Sequence, residues 1–317
     1  MWGLDELEQA AQLVYRAMPP TPQYAWPLLA ARTGAEVWVK HENHTPCGAF
    51  KVRGGLVYVD RLRRERPDVP GLISATRGNH GQSMAYAGGR SGVPVTIVVP
   101  EGNGREKNAA MRSLGAELIE AGHDFEAARQ RAVQLAAERG LEMVPSFHPD
   151  LVLGVATYAL ELFHAAPELD TVYVPIGMGS GICGLIRTRD VLGLSTSIVG
   201  VVSEGAPAMA LSFEAGRVVT TERADTWADG IACRSPDATA VAMVNGGADR
   251  IVRVTDAEIA DAMRVLWEDT HNLAEGAGAA ALAALLREGE SMRGKRVGVI
   301  LSGANVDRDL GLRVLQA

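Results

Sequence analysis

An α/β fold with mostly parallel sheets, built as two lobes of three layers each, is what this sequence predicts, and three observations predict it. Short β-branched or apolar runs alternate with helical segments, the pattern of a sheet covered by helices on both faces. Several of those runs end in glycine-rich turns that lead directly into the next helix, the usual joint in such a sheet. At 317 residues the chain also exceeds the roughly 250–300 residues at which single cores divide, so two lobes are expected.

The elements follow in order. Glu36 to Lys40 reads as a strand, then comes a polar loop and a helix from about Lys51. Leu72 to Ala75 is a second strand, with a helix after Asn79. Val95 to Val99, almost wholly β-branched, is a third, and it runs into the turn Gly102 to Gly104. A helix over Arg105 to Leu114, a strand over Glu117 to Glu120 and a helix over Phe125 to Arg139 come next. The second half repeats the pattern: a helix near Leu151 to Phe163, the strand Thr171 to Pro175, a glycine turn and a helix through Arg189. Ser197 to Val202 and Val297 to Leu301 are the remaining strands. Chain order groups the first half to two-thirds of these strands in one sheet and the remainder in another.

Composition removes several function classes. Apolar residues at 47% and charged residues at 22% fit an ordinary globular protein. Thirty-one basic against 38 acidic residues give a formal charge of −7, without the basic surplus that nucleic-acid binding needs. There is no run of 18 uninterrupted apolar residues, so no membrane span is expected. The first residues, Met1-Trp2-Gly3-Leu4-Asp5-Glu6, are acidic and helix-like, unlike a signal peptide. Cys47, Cys183 and Cys233 form no CxxC pair, so neither a disulfide framework nor a zinc knuckle is indicated and a cytoplasmic location is expected.

Chemistry is expected in loops that follow strands. The turn Pro175-Ile176-Gly177-Met178-Gly179-Ser180-Gly181-Ile182-Cys183-Gly184 places four glycines within eight residues between a strand and a helix. Glycine lets backbone N–H groups approach an anion, and the helix N-terminus adds positive potential. A phosphate site is the functional reading; a tight turn that binds nothing is the plainer one. Gly179, Gly181 and Gly184 also spell GxGxxG, and Glu204 stands 20 residues after Gly184, where a dinucleotide site would want a ribose-binding acid. From these residues alone a nicotinamide-dependent dehydrogenase stays open. A nucleotide triphosphatase does not, because no GxxxxGK[ST] is present.

Two further loops carry candidate groups. In Thr45-Pro46-Cys47-Gly48-Ala49-Phe50-Lys51-Val52-Arg53-Gly54-Gly55, a lysine stands where a loop enters a helix. Burial beside Phe50 and Val52 would lower its pKa and make it a nucleophile; a solvated helix-face lysine is the bland alternative. In Ser74-Ala75-Thr76-Arg77-Gly78-Asn79-His80-Gly81-Gln82-Ser83, Thr76, Asn79 and the backbone amides can hold a carboxylate at a helix N-terminus. An ordinary N-cap at Asn79 is the alternative.

Together these loops resemble the threonine/serine dehydratase family of fold-type II pyridoxal phosphate (PLP) enzymes, the tryptophan synthase β-like fold. Ala49-Phe50-Lys51-Val52-Arg53-Gly54 is similar to its lysine signature and Gly78-Asn79-His80-Gly81-Gln82 to its asparagine loop. Pro175 to Gly184 is similar to its phosphate loop, Ser302-Gly303-Ala304-Asn305 to its C-terminal loop, and Glu275-Gly276-Ala277-Gly278-Ala279-Ala280 to a helix start. The likeness runs from about residue 15 to 310, with the motifs in family order.

The resemblance implies a role for each position. Lys51 would form the Schiff base with PLP and serve as general base. Phe50 would flank it, Asn79 would bond the cofactor's 3′-oxygen, and Ser302 would face the pyridine nitrogen. The amides of Gly177, Met178, Gly179, Ser180 and Gly181 would cradle the phosphate, while Ser74, Thr76, Arg77, Gly78 and His80 would line the substrate side. Glu204 would lose its ribose role and lie near the site as a strand-end residue. The division implied is a large cofactor-binding domain of residues 1–44 and 146–317 and a small domain of 45–145.

The implied activity is dehydration and deamination of a β-hydroxy amino acid to a 2-oxo acid and ammonia, the substrate being threonine, serine or an aryl-serine such as phenylserine. A PLP-dependent racemase or β-replacement synthase is the alternative. The implied partners are a small amino-acid substrate and a second copy in a homodimer, with neither nucleic acid nor membrane.

Three departures bear on this, and His80 separates the chain from a neighbouring class. Met178 replaces a phosphate-loop glycine, which is tolerable at negative φ. Arg77 stands where racemases of the family carry a proton-donating serine, and arginine keeps its proton at neutral pH. His80 stands where β-replacement synthases usually carry threonine. Ala208 and Ala210 follow Glu204 where some relatives place metal-binding acids, so no metal is expected. His41-Glu42-Asn43-His44 is one residue short of HExxH and reads as structural.

Overall fold

A computed structural model describes residues 2–166 and 168–317. The chain opens with α1 (Leu4–Tyr15), β1 (Gln23–Ala25), α2 (Pro27–Thr33) and β2 (Glu36–His41). Then come α3 (Lys51–Glu65), β3 (Leu72–Ala75), α4 (Asn79–Ser91), β4 (Val95–Val99) and α5 (Arg105–Ser113). β5 (Glu117–Glu120), α6 (Phe125–Arg139), β6 (Glu142–Met143), α7 (Pro149–Ala165) and β7 (Thr171–Pro175) follow. The remainder comprises α8 (Ser180–Val191), β8 (Ser197–Ser203), α9 (Ala208–Ala215), α10 (Ala238–Gly247) and β9 (Arg250–Val254). It ends with α11 (Asp256–Thr270), α12 (Gly276–Arg287), α13 (Gly289–Met292), β10 (Arg296–Leu301) and α14 (Arg308–Gln316).

Two sheets organise these elements. One has six strands in the order β1-β2-β10-β7-β8-β9, the other four in the order β5-β4-β3-β6. Every pairing is parallel except β1 with β2. Chain order therefore misgroups one strand. β2 does not join its neighbours in sequence but lies beside β10, with Glu36 opposite Arg296 and His41 opposite Leu301. Local pattern cannot show a pairing between residues 260 apart.

The central strands of the six-stranded sheet are buried on both faces. Val172 and Val174 of β7 enter one apolar cluster, with Ile182 of α8 and Val155 of α7. Tyr173 between them enters the other, with Leu282 and Leu285 of α12. Such alternation makes three layers, with helices above and below the strands. In the smaller sheet Ile73 and Val98 pack on α6 through Ala128, Ala132 and Leu135, while Leu72 and Ile97 face the side of α3 and α4.

Between the sheets a buried polar knot anchors the start of α3. Arg53 donates to Glu42 (Nε to Oε2, 2.7 Å) and Glu161 (Nη1 to Oε1, 2.6 Å), and Lys40 Nζ donates to Glu161 Oε2 at 2.6 Å. Burial works to raise the Glu161 pKa, but Arg53 and Lys40 hold it below the usual carboxylate range. The knot ties β2 and α7 to the helix that begins at Lys51.

Candidate active site

The lysine loop reaches its place through β-like pairing with the segment after β10. Phe50 N–H donates to the Ser302 carbonyl (3.0 Å) and Ala304 N–H to the Gly48 carbonyl (2.9 Å). Thr45 Oγ1 closes the loop by bonding both the N–H and the carbonyl of Ala49, each at 2.9 Å. Lys51 is therefore delivered as the first residue of α3 beside the carboxyl end of β10, and Ser83 Oγ of α4 donates to its carbonyl at 2.6 Å.

The glycine loop follows β7, the strand beside β10. Gly179 has φ +100°, a left-handed conformation that only glycine adopts at low cost, and it turns the chain into α8. A Cβ on Gly177 would strike the Gly230 carbonyl oxygen, and one on Gly181 would lie 3.3 Å from the Tyr158 hydroxyl. That hydroxyl donates to the Gly181 carbonyl at 3.1 Å. Met178 is not among the residues with positive φ, so its side chain adds no strain to the loop.

These loops line one cavity. Phe50, Lys51, Asn79 and Ser302 line it, and so do all five residues from Gly177 to Gly181. The candidates for substrate contact sit beside the cavity rather than in its lining. Ser74 Oγ turns away to donate to the Val144 carbonyl (3.1 Å). Thr76 Oγ1 accepts from Gly78 N–H at 3.1 Å, bracing the turn before α4. Arg77 is exposed. His80 is buried, and burial, then the nearby Lys51 charge, pushes its pKa down to about 3, so it is a neutral imidazole. Glu204 directly follows β8; its carboxylate is exposed and pairs with Arg287 at 3.3 Å, outside the cavity lining.

Sequence reasoning missed four wall residues to which it gave no role: Gly230, Ile231, Glu275 and Ala277. Glu275 could have been suspected, since an acid just before a glycine- and alanine-rich helix is set to face a ligand. Gly230 and Ile231 lie in an irregular stretch with no such signal.

The charges converge. Lys51 is half-buried, with surface that opens on the cavity. Burial pushes its pKa down to about 8, against the raising influence of Glu275. Its Nζ lies 4.9 Å from the centre of the Phe50 ring. Burial pushes Glu275 up to about 7, opposed by Lys107 and by a hydrogen bond from Asn79.

A low-pKa lysine facing an anion-ready backbone cradle is the donor set an aldehyde cofactor with a phosphate tail requires. The family model described as "pyridoxal-phosphate dependent enzyme" matches residues 14–303. The chain belongs to the pyridoxal-phosphate dependent enzyme family. An L-threonine ammonia-lyase of Thermotoga maritima is 32% identical over 316 residues, 99% of this chain and 78% of that one. The L-threo-3-hydroxyaspartate ammonia-lyase of Saccharomyces cerevisiae is 34% identical over 288 residues, 90% of this chain and 88% of the relative. Among solved structures, threonine deaminase isoform 2 of Solanum lycopersicum superposes with a TM-score of 0.91 at 29% identity, covering 99% of this chain and 94% of that one. The residues present suit such a phosphate: the Gly177–Gly181 turn lines the cavity and leads straight into α8, which begins at Ser180, and a helix N-terminus favours an anion. No helix among the described residues is long and apolar enough to cross a membrane.

Proposed function

We propose that this chain is a PLP-dependent ammonia-lyase that converts a small β-hydroxy amino acid into a 2-oxo acid and ammonia. One observation carries the reading. Lys51 opens on a cavity whose wall includes the whole Gly177–Gly181 turn, in a chain akin to ammonia-lyases over most of its length.

Lys51 would hold the cofactor, with the Gly177–Gly181 amides on its phosphate and Ser302 at its ring nitrogen. When bound, the cofactor supplies an electron sink for charge developing at the substrate Cα. Lys51 Nζ is the base that takes the Cα proton, and burial suits it, because an amine with a pKa near 8 is partly neutral at working pH. The substrate carboxylate would bind at the start of α4, where Asn79 reaches the cavity and the helix N-terminus favours an anion. A serine at the ring nitrogen carries no charge to hold a proton there, which favours early loss of the β-hydroxyl over a long-lived carbanion. Net, the β-hydroxy amino acid rearranges to one 2-oxo acid and one ammonia.

Elimination is favoured over racemisation by the residue before Gly78. A racemase needs a second proton donor on the face opposite Lys51, and Arg77 is exposed and keeps its proton. The cavity lies at the carboxyl ends of β7 and β10, between a large domain of 1–44 and 146–317 and a small one of 45–145. A homodimer in the cytoplasm is the assembly and location that fit this class.

The test is a panel of β-hydroxy amino acids, including threonine, serine, phenylserine and 3-hydroxyaspartate, assayed for 2-oxo acid and ammonia. Equal release of both products from at least one member supports the reading. Inversion at Cα without ammonia would replace it with a racemase.

A further inference from the structure

Asn79 supplies the one side-chain amide among the residues that line the cavity. An amide can present an oxygen or an N–H to a ligand, and its two ends are nearly the same shape, so its partners decide which. Here two partners decide. Asn305 Nδ2 donates to the Cys47 carbonyl (2.7 Å), which can only accept, and to Asn79 Oδ1 (2.8 Å). Both Asn305 protons are thereby used, and Asn79 Oδ1 is turned away from the cavity. At the other end Asn79 Nδ2 donates to Glu275 Oε1 at 2.6 Å.

Glu275 is itself held in place. It precedes α12, and its N–H donates to the Gly303 carbonyl at 3.1 Å, so the acid is fixed to the loop that carries Ser302. A carboxyl oxygen accepts whether or not its neighbour bears a proton, and a charged acceptor strengthens the bond. Lys107, Asp229 and Lys51 are the charged groups that act on it.

We infer that Glu275 is a positioning residue which, with Asn305, locks the Asn79 amide so that its second N–H faces the cavity. That point of the wall becomes a dedicated donor to an electron-rich oxygen on a bound cofactor ring. The inference rests on the functional reading above, because it needs the cofactor in this cavity.

The test is a double-mutant cycle read by PLP affinity and by the visible band of the holoprotein. Glu275→Ala should weaken PLP by about tenfold, the scale of a lost charge-assisted hydrogen bond. Asn79→Ala should weaken it at least as much. The double variant should bind no worse than Asn79→Ala alone, since the two act as one unit. Glu275→Gln, which keeps an acceptor oxygen, should return to within about threefold of the parent, and the visible band of Glu275→Ala should shift as that of Asn79→Ala does.

Losses that multiply in the double variant, or a Glu275→Ala protein with parental affinity and spectrum, overturn the inference. Should Glu275→Ala fail to fold, Asn305→Ala crossed with Asn79→Ala asks the same question from the other end of the chain of bonds. A parent protein that takes up no PLP on Lys51 overturns the functional reading and this inference with it. A yellow parent whose losses multiply overturns this inference alone.

Discussion

Gly54 of α3 and Gly154 of α7 meet backbone against backbone. A Cβ on Gly54 would lie 2.7 Å from the Leu151 carbonyl oxygen, and one on Gly154 would lie 2.7 Å from Gly54 Cα and strike the Arg53 carbonyl. The contact sits three residues from Lys51, so the separation of these helices sets where the amine stands.

Gly154→Ala should therefore do two things at once. Overpacking should cost about 1–3 kcal/mol in chemical denaturation, and the displaced α3 should weaken PLP binding. Unchanged stability together with unchanged affinity would show that the helices have room to spare.

Arg53 offers a second test at the same helix. Its removal leaves Glu42 and Glu161 buried with Lys40 as the remaining cation, and breaking a buried ion pair from one side costs about 3–5 kcal/mol. Arg53→Met should show that loss at pH 7. The loss should shrink as the pH falls toward 5, because without Arg53 burial raises the Glu161 carboxyl and protonation relieves the stranded charge. A deficit that does not change with pH would contradict this.

Lys51 should destabilise the cofactor-free protein. Its folded-state pKa near 8 lies below the ordinary lysine value of 10.5, so the unfolded chain binds more protons between those values and the folded state gains stability as pH rises through them. The penalty is complete below about pH 8 and gone above about 10.5. Apo Lys51→Met should melt higher than the apo parent at pH 7, by roughly 2–4 °C for each kcal/mol recovered. The difference should close by pH 10.5. Equal melting at pH 7 would mean that the charge is well solvated.

Gly177→Ala addresses the cradle. The new methyl would meet the Gly230 carbonyl, and both belong to the cavity wall, so one segment must move. PLP affinity should fall by about tenfold or more, on the scale of 1–3 kcal/mol for an overpacked site, while far-UV circular dichroism stays the same. Retained affinity would show that this glycine serves only as a turn.

The sequence carries the local parts of this structure and not their meetings. β3, β4, β5, α6 and β7 lie on the residues that the pattern marks, because each is a complete apolar or amphipathic period bounded by turn residues. β9 escaped notice since Arg250 and Arg253 interrupt its apolar run, as an edge strand allows. β1, three residues long, has no period to detect.

The site divides the same way. Lys51, Asn79, the glycine loop and Ser302 lie in motifs readable one at a time. Glu275 against Asn79, and Gly230 against Gly177, are contacts across 196 and 53 residues of chain that only the folded parallel sheet creates. Arg77 stands among motif residues in sequence, and its side chain is exposed while Thr76 and Gly78 on either side are buried.

The most direct measurement is peptide mapping of the holoprotein after borohydride reduction. Reduction should erase the absorbance near 410–420 nm and leave a single pyridoxyl mass on the peptide that contains Lys51, with none on Lys40 or Lys107. A label on any other lysine, or a protein that stays unlabelled after incubation with PLP, would contradict the account.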